Sequence, residues 1–343
     1  MRPSPQPSQT AQRLAGANAG DLSFQPRSDG TAQYTAPSMA APSLAAARPF
    51  DDVATEAALR RLARQPSPPW LHGEVARRMG ERLELIRMKP ERLIDWWSHL
   101  GAGSDVLERI YPKAQRVLVE PGPMLHARSA AAVARPWWST RGWGRAAPEV
   151  VLDTDDLRGG AQLVWANMML HAVADPPALF ERWERLLAID GFVMFSCLGP
   201  GTLKELRDLY RRLGWPAPTP DFIDMHDLGD MMVAAGFADP VTDQETLSLR
   251  WKDPEALLRE LRVLGRNTRP GRPGGLHSRH WRVELIEALE SLRGDDGSLG
   301  LSFEIAYGHA FKAAPRLRAD RPTTVSLDDM RALVRSGKRP PSS

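Results

Sequence analysis

The sequence predicts an α/β fold: a mainly parallel sheet with an antiparallel pair at one edge and helices on both faces. Two observations predict it. Short apolar runs alternate with segments whose apolar residues recur every three or four positions, the pattern of successive strand–helix units. Near the end of the chain the pattern changes to strict alternation, as expected of antiparallel strands at a sheet edge. The first set of strands is expected over Arg92–Trp97, Arg116–Pro121, Glu149–Asp153, Ala161–Asn167 and Gly191–Leu198. Helices are expected over Trp70–Met88, Ser104–Tyr111, Pro176–Ala188 and Gly201–Leu213. The alternating runs are Val241–Trp251 and Leu301–Lys312, the latter with Phe303, Ile305, Tyr307 and His309 on one side. Helices over Asp253–Leu264 and Trp281–Leu292 separate them.

A chain of 343 residues with 42% hydrophobic residues can bury one large core. Residues 48–314 are expected to form it, with 252–300 as a helical and basic insertion. Residues 1–47 and 315–343 show little periodicity, so ordering them would cost backbone entropy without compensating burial, and they read as tails. Within the second tail, Ser326–Val334 has the pattern of a short capped helix. A single cysteine, Cys197, excludes an internal disulfide framework, and no Cys/His cluster has zinc spacing, so a metal-free protein of the cytoplasm is expected. No run of about 18 apolar residues suggests a membrane span, and the first 20 residues lack the apolar stretch of a secretory signal. A net charge of +3 does not by itself imply nucleic acid. A monomer is expected.

Parallel strands that feed helices bring their carboxyl ends to one edge of the sheet, where ligands bind at the reversal of strand order. Four segments along this part of the chain carry a specific resemblance. They are Gln162–His171, the pair Asp175–Leu179 and Leu186–Phe195 with Ile189-Asp190-Gly191 as a turn, Phe195–Leu206, and Phe222–Asp230 followed by Ala234-Ala235-Gly236-Phe237. Together they resemble the Rossmann-like class I methyltransferases, and within them the malonyl-acyl carrier protein methyltransferases of biotin synthesis and their complex I assembly relatives. The resemblance covers roughly Arg48 to Ala313. It implies S-adenosylmethionine as cofactor and O-methylation of a carboxylate, with a catalytically silent binding or assembly module as the alternative.

The same resemblance implies roles for particular residues. Glu120, closing the second strand, would accept the ribose hydroxyls, as an acid does at this point in dinucleotide sites; a plain surface acid is the competing role. Pro121 follows it. Asp153 would accept from the adenine amino group, with Asp155 and Asp156 as alternatives. Asn167 and Met168 would lie beside the sulfonium, or cap the strand end. His171 and His226 have the side chain of a general base. A carboxylate acceptor is already anionic, however, and needs alignment more than deprotonation.

The glycine-rich loop departs from the family. If Asp95 takes the position of its leading acid, Trp97 and His99 stand where the first two glycines belong and only Gly101 matches, with Gly103 just beyond. Glycine there lets backbone approach the cofactor without a Cβ in the way, so an indole in that place predicts weaker binding. Trp97 filling the space between Glu120 and Asn167 would favour the silent module, and an open cleft there would favour the enzyme. Trp96, Trp97, Trp137, Trp138 and Trp143 form either a stacking surface for another ligand or core filling at a collapsed site. Finally, Arg259–Arg282 holds seven arginines and two histidines against one glutamate. Arg266, Arg269 and Arg272 are the substrate-carboxylate candidates, and the whole segment is a surface for an acidic carrier protein or simply a solvated loop.

Overall fold

The computed structural model describes residues 50–134, 147–275 and 278–314. The expected tails, the Ser326–Val334 helix, and Trp137, Trp138 and Trp143 lie outside the described residues. Every described residue belongs to one contact-defined unit.

Seven strands form one sheet: β1 (Arg92–Trp96), β2 (Gln115–Glu120), β3 (Glu149–Leu152), β4 (Ala161–Ala166), β5 (Leu187–Leu198), β6 (Phe237–Trp251) and β7 (Leu299–Lys312). Their order is β3-β2-β1-β4-β5-β7-β6. The first five are parallel neighbours, and β7 runs antiparallel to both β5 and β6. Strand order reverses between β1 and β4, so the crevice at their carboxyl ends is the ligand-binding place this topology provides.

The helices are α1 (Asp52–Ala63), α2 (Trp70–Leu83), α3 (Ser98–Gly101), α4 (Ser104–Ile110), α5 (Pro123–Val133), α6 (Pro176–Leu186), α7 (Lys204–Arg212), α8 (Met225–Ala234), α9 (Pro254–Leu264) and α10 (Arg279–Glu290). Two starts are written in the sequence as an aspartate followed by proline. Asp175 Oδ1 accepts from Ala178 N at 3.0 Å and Asp253 Oδ1 from Ala256 N at 2.7 Å, while Pro176 and Pro254 bring the φ of a first helical residue.

Alternation along the strands sends side chains to two cores. Leu93, Leu163, Trp165 and Phe192 pack with Leu71, Val75 and Met79 of α2 on one face. Ile94, Val164 and Phe195 pack with Phe180 and Trp183 of α6 and Met232 of α8 on the other. Where β5 meets β7, Phe195 pairs with Gly308, and a Cβ at Gly308 would overlap the Phe195 ring. Gly308→Ala is therefore expected to lower stability by about 1–3 kcal/mol through overpacking, measurable as a fall in the urea midpoint at unchanged slope.

The structure moves several expected boundaries. The strand expected to end at Trp97 ends at Trp96, the helix from Trp70 stops at Leu83 rather than Met88, and β6 begins at Phe237 rather than Val241. The Ile189-Asp190-Gly191 turn is instead part of β5: Asp190 takes φ 64°, and the β4–β5 register shifts between Ala161 and Leu163 to accommodate it. The α7 helix starts at Lys204, after Leu203 adopts a left-handed conformation. Three helices, α1, α3 and α5, have no counterpart among the expected elements, whereas α8 begins at Met225 inside the resembling Phe222–Asp230 segment.

Candidate active site

The site is built where β1 ends. Asp95 is fully buried; its Oδ2 accepts from Ser98 Oγ at 2.6 Å and Ser104 Oγ at 3.5 Å, while Oδ1 has no partner. Burial pushes its pKa up to about 6, against the opposing pull of the Ser98 hydrogen bond and the Arg116 charge. The chain then turns sharply. Trp97 adopts left-handed dihedrals, φ 55° and ψ 48°, its N–H donates to Val119 O at 2.7 Å, and Gly101 N closes the turn on Trp97 O at 2.8 Å. The Trp97 side chain is only 7% exposed and its Nε1 donates to Asp153 Oδ2 at 3.2 Å.

Glu120 closes β2 with 0% exposure. Its Oε1 accepts from the His99 backbone N–H at 2.8 Å and from Ser129 Oγ at 2.5 Å, and Oε2 has no hydrogen-bond partner. Burial raises its pKa to about 7, and the nearby Asp95 and Asp153 charges add to the rise that its two hydrogen bonds oppose. On the other side of the turn, Asn167 is also fully buried: Nδ2 donates to His72 O at 2.8 Å and Gly101 O at 2.5 Å, and Oδ1 accepts from Ser196 Oγ at 2.7 Å. Met168, at φ 52°, donates its backbone N–H to Ser196 Oγ at 3.0 Å. Gly101 sits so close to this strand end that an added Cβ would lie 3.4 Å from Asn167 O.

A cleft of about 410 Å³ opens beside this cluster, between Phe50, Thr55 and Leu59 at the α1 side and Trp97, Asp153 and Arg182 at the sheet edge. Pro121 and Met169 also line it. Arg182 fixes its rim, donating to the carbonyls of Asp153 and Asp155 and lying 5.0 Å from the Trp96 ring centroid. Asp95, Gly101, Glu120, Asn167 and Met168 do not line the cleft. Glu120 and Asn167 both have 0% exposure, so a ribose cannot reach Glu120 in this conformation. Of the residues expected to hold the cofactor, Pro121 and Asp153 alone line the cleft, so the closed site does not fit a nucleoside cofactor as it stands.

The remaining candidates separate. His171 lies edge-on to Phe222, with centroids 6.2 Å apart, and its Nδ1 is 3.5 Å from Leu198 N. His226 is exposed, and Asp224 Oδ1 accepts from both its backbone N–H (2.8 Å) and its Nδ1 (2.7 Å) at the start of α8. Neither lines the cleft. Arg269 pairs with Asp221 at 2.8 Å and Arg272 with Asp51 at 2.5 Å, whereas Arg266 is exposed. The Arg272–Asp51 pair ties the basic segment to the cap of α1, whose flank walls the cleft. Ser129, Ser196 and His72 complete the cluster although none of them was among the expected site residues. His72 is buried with Nδ1 2.7 Å from Leu100 O, and burial lowers its pKa to about 4, leaving it neutral. Ser196 lies inside a resembling segment; nothing in the sequence marks the other two.

Sheet order and the crevice between β1 and β4 give a Rossmann-like fold, the fold shared by the methyltransferases whose methyl donor is S-adenosylmethionine. A family model described as a methyltransferase domain matches residues 71–240. The malonyl-(acyl-carrier protein) O-methyltransferase of Gallionella capsiferriformans is 39% identical over 73% of this chain and 87% of its own length. Proteins of the same name from Laribacter hongkongensis (36%, covering 77% of this chain and 88% of the relative) and Halorhodospira halophila (37%, covering 75% and 87%) are similarly close. The chain belongs to the malonyl-(acyl-carrier protein) O-methyltransferase family.

Proposed function

We propose that this chain O-methylates the free carboxylate of a malonyl group held on an acyl carrier protein. The observation that carries the reading is the 39% identity to a relative of that name across 87% of the relative's length. The chemistry agrees with the site. A carboxylate acceptor is anionic before it binds and needs positioning rather than a base, and neither His171 nor His226 lines the cleft. The Arg259–Arg282 segment, with Arg266 exposed and Arg272 anchored on Asp51, supplies the cationic surface on which an acidic carrier would dock. In this reading residues 48–314 form the catalytic domain of a cytoplasmic monomer, and Asp95, Gly101, Glu120, Pro121, Asp153, Asn167 and Met168 come to hold the cofactor once the Trp97–Gly101 turn moves. No helix among the described residues is long and apolar enough to cross a membrane.

The burial of Trp97 and Glu120 favours a second reading, a binding or assembly module that keeps the fold without turnover. Mass spectrometry of malonyl-acyl carrier protein incubated with the purified chain and saturating S-adenosylmethionine separates the two. The first reading expects the mass of a methyl ester. Unmodified carrier in the presence of folded protein establishes the second.

A further inference from the structure

We infer that Trp97 is a built-in occupant of the nucleoside place, so that a purine nucleoside enters this crevice by displacing the indole. The inference rests on the methyltransferase reading and names what restricts its site. A bulky residue in left-handed dihedrals costs on the order of 1–2 kcal/mol, and at Trp97, with φ 55°, the backbone bonds to Val119 O and from Gly101 N share that cost with the contacts of the side chain. Those contacts are specific. The indole is a flat nitrogen heterocycle, nearly buried, that presents an N–H to the carboxylate of Asp153 at 3.2 Å. An aminopurine ring offers the same combination of a flat apolar face and an N–H donor.

The turn that carries the indole also closes the second half of the site. Trp97 and His99 lie two residues apart around α3, Trp97 as its cap, and the His99 N–H occupies Glu120 Oε1. Glu120 Oε2, buried without a partner, is an acceptor whose desolvation is uncompensated. Swinging the turn outward would remove the indole from Asp153 and the amide from Glu120 in one movement, freeing two carboxylates on adjacent strands, one for an exocyclic amine and one for a vicinal diol. The cleft beside Trp97 gives the indole somewhere to go.

Calorimetric titration of the full chain with S-adenosylhomocysteine tests this. Trp97→Gly, which removes the plug and suits the left-handed backbone, should bind at least tenfold more tightly than the wild type, while Trp97→Phe, which keeps the bulk, should stay within threefold of it. If the glycine variant does not fold, as judged by circular dichroism, Trp97→Ala makes the same comparison. Wild-type affinity within threefold of the glycine or alanine variant overturns the plug and leaves the methyl-transfer reading standing. A glycine variant that gains binding but yields no ester on malonyl-acyl carrier protein overturns methyl transfer and leaves the plug standing.

Discussion

Trp183→Ala should lower the free energy of unfolding by about 3–5 kcal/mol, the range for truncating a large aromatic side chain in a packed core. Trp183 is fully buried on α6 and meets three other rings, Phe180 at 5.4 Å, Trp96 at 5.9 Å and Phe195 at 6.4 Å between centroids. Removing it leaves a cavity against β1 and β5 together, which neither strand can close without breaking its register. Its Nε1 has no hydrogen-bond partner, so nothing is lost there and the penalty comes from packing alone. Trp183→Phe should for that reason recover more than half of the loss. Urea unfolding of both variants decides it: an alanine cost below about 1.5 kcal/mol, or a phenylalanine cost equal to it, would show that the ring cluster does not hold this face.

The second large effect depends on pH. Glu120 moves from an ordinary 4.5 to about 7 in the folded chain. Between those values the folded state retains a proton that the unfolded chain has released, so stability falls as pH rises through the window and levels off above it. Replacing Glu120 with glutamine removes this dependence. The amide oxygen can still accept from His99 N and Ser129 Oγ, and the cost of an unpartnered amide group in place of Oε2 does not vary with pH. Relative to the wild type, Glu120→Gln should therefore gain roughly 2–3 kcal/mol between pH 4.5 and pH 8, since each tenfold change in proton affinity on folding is worth about 1.4 kcal/mol. Asp95, raised to about 6 in the same cluster, gives both proteins a slope of the same sign that largely cancels in the difference. A difference between the two proteins that stays flat across this range would mean that Glu120 is solvated and ionised in the native state.

The sheet was legible because each strand core is a short apolar run with little competing periodicity: Val117–Val119 and Leu163–Trp165 could be little else. The unexpected helices are the ones whose burial leaves no such stripe. The α5 helix buries only Leu125 and Ser129, and half of the buried set of α1 is alanine, too little apolar mass to show a three-to-four repeat. The α3 helix has four residues and depends on two flanking left-handed residues, Trp97 and Ala102, neither of which advertises that conformation. At the site, the resemblance pointed to the acids and Asn167, and the structure gathers Asp95, Glu120 and Asn167 around one turn. Which of them face solvent was not readable. Their burial follows from the path of the Trp97–Gly101 backbone, and a strand-end acid looks the same in sequence whether or not a neighbouring amide has closed over it.

The outermost strand, β6, carries a consequence of its own. Among the described residues β7 is its one strand neighbour, so its other rim is an edge of the kind a foreign strand could recruit. Near its start the chain is interrupted by Pro240, by Asp239 at φ 49° and by a register shift between Ala238 and Val241, while Asp243 and Glu245 are engaged by Arg82 and Arg78 of α2. Kinked and charged in this way, the rim is a poor template for fibrillar stacking.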